Sequence, residues 1–381
     1  MIKFASNIYE AMSIQMVDLR GQYLKIKDKI DEAIQQVLDS SAFINGQVVR
    51  DFGADLAEYL SVKHVIPCAN GTDALQVAFM ALGLEQGDEV IVPCFTYVAT
   101  AEALALLGLK PVLVDVDPQT FLIDPAEIEK NITSKTRAIV PVHLFGQCAD
   151  MDSIMSIADR YHLFVVEDAA QSIGAVYTRA NGDTAYAGCI GDIGTTSFFP
   201  SKNLGCYGDG GALFTNDSSL EEKIRMICNH GQKKKYHHSL IGVNSRLDTI
   251  QAAVLQVKLK YLDQYSAARN KVADFYDKAF AGDGRFTTPK RMEKSTHVFH
   301  QYTLIMNDIS RDSLRAHLLE NGIPSMVYYP LPLNEQEAYK SVGNFPVTKD
   351  LCSRVLSLPM STELTAEQLD LITETVLNFS E

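Results

Sequence analysis

Between about residue 60 and residue 230, short apolar runs alternate with longer amphipathic ones, the pattern of successive βα units around a buried sheet. The apolar runs His64–Cys68, Glu89–Pro93, Pro111–Val116, Ala138–His143, Leu163–Glu167, Gly194–Phe199 and Gly211–Thr215 predict strands. Thr72–Leu82, Thr100–Leu107, Met151–Tyr161 and Leu220–Asn229 predict helices between them. The fold class expected is α/β: a doubly wound, mainly parallel seven-stranded sheet in one large domain. Ahead of it, Ile26–Leu38 is amphipathic and is expected to pack on this domain or on a second copy of the chain. Beyond it, Ile250–Ala279 reads as one extended helix, and the Gly282-Asp283-Gly284 break marks a boundary with a smaller α+β segment. That segment holds one strand, Val298–Met306, a helix near Arg311–Asn321, a Pro-rich loop Tyr328–Leu333 and a closing helix from Ala366. The division expected is an N-terminal arm and helix over 1–50, a large domain over 51–249, a connecting helix over 250–281 and a small domain over 282–381.

Composition narrows the function classes. The 381 residues are 46% hydrophobic and 21% charged, ordinary for a globular chain with a sizeable core. A formal charge of -13 argues against a nucleic-acid partner, which would be held by clustered Lys and Arg. Seven scattered cysteines (Cys68, Cys94, Cys148, Cys189, Cys206, Cys228, Cys352), with no C-x-x-C pair, predict neither a disulfide framework nor a metal site. The opening MIKFASNIYEAMSIQ lacks the apolar core of a secretory signal, and no apolar run approaches the roughly 18 residues that span a bilayer. The expected location is the cytoplasm, where the N-x-S/T triplets at Asn131, Asn216 and Asn378 carry no meaning.

In open α/β sheets ligands bind outside the carboxyl ends of the strands, and three places there carry chemistry. Asn70-Gly71-Thr72-Asp73-Ala74 joins a strand to a helix and converges free N–H groups on one point, an anion site. The plain reading is a turn capped by Thr72. Val165-Val166-Glu167-Asp168-Ala169-Ala170-Gln171 delivers carboxylates to a strand end, where one could meet a cationic ring nitrogen; the plain reading is a capping Asp beside an exposed Glu. Thr196-Ser197-Phe198-Phe199-Pro200-Ser201-Lys202-Asn203-Leu204-Gly205 runs a strand into a loop with one lysine, whose pKa would fall on desolvation as suits an imine-forming amine. A surface lysine on a turn is the commoner outcome. Phosphate cradle, acid and lysine in that order match what pyridoxal 5'-phosphate (PLP) needs.

The stretches NGTDALQ, GDEVIVP, FTYVAT, VEDAAQSIGA, SFFPSKNLG, GDGGA and GVNSRLDTIQAAVL resemble the DegT/DnrJ/EryC1/StrS family of sugar aminotransferases, from about Val17 to the end. The resemblance implies the fold type I, aspartate aminotransferase-like architecture of PLP enzymes. It implies that Lys202 holds the cofactor's aldehyde covalently and that Asp168 pairs with its ring nitrogen. It places Gln171 near the phenolic oxygen, Tyr97 on the ring with Ala170 beside it, and Gly71, Thr72 and Ser197 on the phosphate. A homodimer is implied, in which the Gln232–Arg246 loop of one copy completes the other's pocket. Asn244 would reach the partner's phosphate, and Lys233, His238 and Arg246 would face a substrate diphosphate. A solvated charged loop is the alternative. The family often carries a His-Tyr pair before the Pro-rich loop, where this chain has Tyr328 and Tyr329, so a hydrogen-bonding phenol replaces an imidazole.

The activity implied is transfer of an amino group from L-glutamate, through pyridoxamine 5'-phosphate (PMP), to a keto carbon of a nucleotide-linked sugar. GDGGA and the stretches Asn344–Val347 and Leu356–Met360 resemble members acting at a 3-keto carbon. The Met16–Leu19 and Cys68–Asp73 stretches resemble enzymes of UDP-2-acetamido-3-oxo-glucuronate in bacterial O-antigen synthesis. The rivals are a dTDP- or GDP-linked 3-keto or 4-keto-6-deoxy sugar as substrate, and a non-catalytic ligand-sensing regulator. A related dehydratase, which carries histidine in place of the lysine, is opposed by Lys202.

Overall fold

The seven expected strands are present, and their register explains where a ligand can sit. In the computed structural model, which describes residues 14–380, they are β1 His64–Cys68, β2 Glu89–Pro93, β3 Lys110–Val114, β4 Thr136–Ile139, β5 Phe164–Asp168, β6 Ile193–Ser197 and β7 Gly211–Thr215. The start of the expected arm, residues 1–13, lies outside the described residues. The sheet order is β1-β7-β6-β5-β4-β2-β3. Only β7 opposes its neighbours, so the carboxyl ends of the other six share one edge. Strands β2 and β7 are buried along their whole length, as in a sheet covered on both faces.

Side chains alternate between the two layers. Val90, Val92, Val166 and Leu213 pack on one face with Phe79 of helix Gly71–Leu82 and Ile227 of helix Ser218–Cys228. Ile91, Ile139 and Val165 pack on the other with Met151 and Ile154 of helix Met151–Tyr161. Several of these helices start on a side-chain cap, Asn70, Asp150 and Asp217, each worth about 1 kcal/mol. The second layer also takes in Val298, Ile305, Leu351, Cys352 and Val355, so the C-terminal hundred residues share apolar packing with the large sheet.

Three expectations are corrected. The extended helix is two helices, Thr249–Leu259 and Leu262–Ala279, broken by a turn at Lys260-Tyr261. The break lets Val254 pack on Ile26 and Ile30 of the N-terminal segment, while Val272, Ala273 and Tyr276 turn toward the small sheet. The small-sheet core therefore begins inside the second helix, ahead of the Gly282–Gly284 break. The expected strand Val298–Met306 starts at Tyr302, because Phe299 sits at φ 45° and the His300 N–H donates to the Phe145 carbonyl (2.8 Å). It pairs with Val355–Leu358 and Phe286–Thr287 in a three-stranded antiparallel sheet of which only the middle strand was expected.

The amphipathic segment forms helix Lys27–Ser40 with Ile30 and Val37 buried. Asp115, just past β3, accepts the N–H groups of Val347 (2.9 Å) and Thr348 (2.8 Å) and the Thr348 hydroxyl (2.6 Å), docking helix Pro346–Arg354 onto the large sheet. The Leu333 N–H donates to the Cys94 carbonyl past β2 (3.2 Å), which brings the Pro-rich loop over the ligand edge. Among the described residues no helix is long and apolar enough to cross a membrane.

Candidate active site

The anion cradle is built by a row of residues across three strands. Cys68 and Ser197 both pair with Gly211, so the ends of β1 and β6 flank the start of β7. A Cβ on Gly211 would stand 2.4 Å from the Asn70 carbonyl carbon, and one on Gly71 would stand 2.8 Å from Ser197 Cβ. Both glycines are therefore needed for the helix start to approach Ser197. The cap is Asn70, not Thr72: its Oδ1 accepts from the Asp73 N–H (2.8 Å). That leaves the Gly71 and Thr72 N–H groups and the Thr72 hydroxyl without a partner among the described residues, beside the Ser197 hydroxyl. A helix N-terminus so arranged favours an anion by roughly 0.3–2 kcal/mol before any charged contact.

Asp168 ends β5, buried, with its carboxylate turned to this edge. Its Oδ2 accepts from Thr100 Oγ1 (2.9 Å) and its Oδ1 from the Ala170 N–H (3.1 Å). Two donors leave lone pairs for a further cationic donor. The neighbouring Glu167, expected on the surface, is fully buried on the opposite face: the strand is covered on both sides, so alternation turns it into the second layer. Gln171 is fixed from both ends, accepting from the Phe145 N–H (2.8 Å) and donating to the Tyr329 hydroxyl (3.1 Å). The Tyr329 ring stands edge-on to Phe95 at 6.0 Å and tilted to Tyr97 at 6.2 Å. Burial pushes the Tyr329 phenol up, which keeps it protonated. Tyr97 itself is 58% exposed, an open ring face at the mouth of the site. The Tyr328-Tyr329 peptide is cis, and Tyr328 is half-buried.

Lys202 follows β6 in a closed loop. Its N–H donates to the Phe199 carbonyl (2.8 Å), Asn203 Nδ2 donates to the Val298 carbonyl (2.8 Å), and buried Lys258 donates to the Gly205 carbonyl (2.6 Å). The Lys202 side chain is half-buried. Burial lowers its pKa to about 8, while the charge of Asp168 works in the other direction. About a tenth of the amine is then neutral at pH 7, against about one part in three thousand for an ordinary lysine.

The structure brings together Gly71, Thr72, Ser197, Asp168, Ala170, Gln171, Tyr97, Tyr329 and Lys202 at one edge. It does not join the loop residues to them within one chain. Lys233 pairs with Glu222 (2.9 Å), His238 Nδ1 donates to the His230 carbonyl (2.8 Å), Asn244 is exposed and Arg246 half-buried. None bonds to Lys202, Asp168 or the cradle among the described residues. Next to Asn244, however, buried Ser245 accepts the Ala69 N–H (3.1 Å), tying this loop to the chain that leads into the cradle.

Sequence reasoning missed Ser245, Asn70 as cap and Thr100 as the support of Asp168. Only Asn70 carried a local signal, three residues before an acidic helix position.

An anion cradle, a carboxylate with spare acceptor capacity and an amine of lowered pKa fit the phosphate, ring nitrogen and aldehyde of PLP, group for group. The DegT/DnrJ/EryC1/StrS aminotransferase family profile matches residues 24–377. The chain is 48% identical over 366 residues to the Pseudomonas aeruginosa UDP-2-acetamido-2-deoxy-3-oxo-D-glucuronate aminotransferase, covering 96% of this chain and 100% of that protein. It is 47% identical over 378 residues to a Geobacillus stearothermophilus protein named pleiotropic regulatory protein, covering 97% and 99%. NtdA of Bacillus subtilis, solved with bound cofactor PMP, superposes with a TM-score of 0.86 at 34% identity, covering 93% of this chain and 81% of that one. This chain belongs to the DegT/DnrJ/EryC1/StrS aminotransferase family and uses PLP, cycling with PMP.

Proposed function

We propose that this PLP-dependent nucleotide-sugar aminotransferase moves the amino group of L-glutamate to the C3 ketone of a UDP-2-acetamido-3-oxo-sugar acid, in the cytoplasm, for bacterial surface polysaccharide (O-antigen) synthesis. The observation that carries the chemistry is the lowered-pKa amine of Lys202 at the same sheet edge as Asp168 and the Gly71–Ser197 cradle. The sugar is supported by the name and 48% identity of the Pseudomonas aeruginosa relative. Bound PLP would supply the electron sink for amino transfer. Gly71, Thr72 and Ser197 bind the phosphate, Asp168 holds the ring-nitrogen proton, and Gln171, locked between Phe145 and Tyr329, orients the phenolic side. Lys202 Nζ, once free, would move the proton between the amino-bearing carbon and the cofactor carbon, as base and then as acid, for which a pKa near the working pH suits it. In a homodimer, Asn244 of the second copy closes the phosphate end. Lys233, His238 and Arg246 of that copy, with Tyr328 and Tyr329 of the first, receive the diphosphate and sugar.

The test is the visible absorption of the PLP-loaded protein before and after UDP-2-acetamido-3-amino-2,3-dideoxy-glucuronate, with glutamate added to a parallel sample. Bleaching by both is expected. Bleaching by glutamate alone removes this sugar and leaves a dTDP- or GDP-linked keto sugar as the acceptor to assay. The Geobacillus stearothermophilus name favours a second reading, a ligand-sensing regulator. A protein that binds PLP and never yields PMP with any donor would revive it.

A further inference from the structure

Glu167 is a carboxylate with no lysine or arginine partner among the described residues and no exposure to solvent. Four N–H groups surround it: Oε2 takes His143 Nε2 (2.8 Å) and the Gly188 amide (3.0 Å), and Oε1 takes the Ile190 and Gly191 amides (2.6 Å each). A shell made wholly of donors has no acceptor for a carboxylic acid proton, so it selects the ionised form. Burial works against that charge, yet His143 and the amides outweigh it and hold the carboxyl below its ordinary range.

The Ala149 N–H donates to His143 Nδ1 (3.1 Å), which leaves Nε2 as the ring donor to Glu167. His143 also ties the two carboxylates together, because its backbone N–H donates to the Asp168 carbonyl (3.0 Å) while its ring holds Glu167. Two adjacent carboxylates thus sit at the end of β5, and Lys202 is the cation whose charge interacts with Asp168.

We propose that Glu167, fixed by His143 and the Gly188–Gly191 turn, is a positioning residue whose buried charge acts with Asp168 to favour a protonated ring nitrogen on the cofactor. Asp168 accepts that proton's hydrogen bond; Glu167 makes no contact with the ring and acts through the field it adds and the strand end it anchors. The inference rests on the cofactor assignment and not on the identity of the sugar.

The test compares dissociation constants, by equilibrium dialysis, of PLP and of 1-deaza-pyridoxal phosphate, in which C–H replaces the ring nitrogen. One buried charge worth about one pKa unit at the ring nitrogen makes Glu167→Gln lose about tenfold in the preference for PLP over the deaza analogue. Glu167→Asp, which keeps the charge, retains the wild-type preference. A purely structural role weakens both ligands equally in both variants, and that result overturns the proposal. Should Glu167→Gln fail to fold, the ratio is read in Glu167→Met, which removes the charge and fills the same space; a loss of about tenfold is expected there, and an unchanged ratio also overturns the proposal. Wild-type protein that binds neither ligand would fail the cofactor assignment instead.

Discussion

Removing the amine of Lys202 should make the cofactor-free protein more stable while abolishing turnover. Its pKa falls from 10.5 to about 8, chiefly through burial. At 1.36 kcal/mol per unit, holding the charged amine in the folded state costs about 3 kcal/mol at neutral pH. The sign follows from proton counting. Below pH 8 both states carry the proton and the folded state bears the whole cost. Between 8 and 10.5 the unfolded chain binds a proton that the folded chain has released, so stability rises with pH, and above 10.5 the cost is gone. Lys202→Met removes the cost and this slope together. At about 2.1 cal/mol/K of unfolding entropy per residue, 3 kcal/mol raises Tm by about 4 °C for a chain of this size. Buried Lys258, also lowered to about 8 by burial, adds a parallel rise to both proteins, so the difference between their curves isolates Lys202. The assay is urea unfolding of both PLP-free proteins at pH 7 and pH 10. A gain of about 2–3 kcal/mol at pH 7, mostly gone at pH 10, is expected. Curves that run parallel, or a variant less stable at pH 7, would refute an electrostatically penalised amine.

Other expectations concern the supports of the site. Gly71→Ala places a Cβ 2.8 Å from Ser197 Cβ, so apo stability should fall by about 1–3 kcal/mol. PLP affinity, read by calorimetric titration, should drop with it; an unchanged affinity would separate the cradle from the phosphate. Ser245→Ala strands the Ala69 N–H beside the cradle and should cost about 1–2 kcal/mol in chemical unfolding, where no loss would mean that solvent replaces the hydroxyl. Asp115→Ala removes the acceptor of three donors on Val347 and Thr348. It should cost about 2–4 kcal/mol and raise amide exchange in helix Pro346–Arg354 selectively; uniform exchange would show that apolar contacts alone dock that helix.

How much of this was readable in the chain follows from which forces act locally. Strands such as β2 and β7 could be found because strands buried on both faces read as near-continuous apolar runs, and the predicted ends of β5 and β6 lie within two residues of those seen. Lys202 and Asp168 could be found because Asp168 closes one such run and Lys202 lies in the loop just past another. The break at Lys260-Tyr261 could not, since neither glycine nor proline marks it and the turn is imposed by two separate cores pulling on Val254 and Val272. Strand Val355–Leu358 is only four residues long and exists through its pairing with Tyr302–Met306, some fifty residues earlier. The polar site divides in the same way. The Asn70 cap reaches three residues, whereas Thr100 meets Asp168 across 68 residues, Gln171 meets Tyr329 across 158 and Ser245 meets Ala69 across 176. What local chemistry determines is which atoms at the sheet edge can react. What the long-range bonds determine is how rigidly those atoms are held, and a motif of neighbouring residues contains the first kind of information without the second. Glu167 shows the difference most sharply: beside Asp168 in sequence it looked like a second surface acid, and only the turn at Gly188–Gly191 and the ring of His143 make it a buried charge.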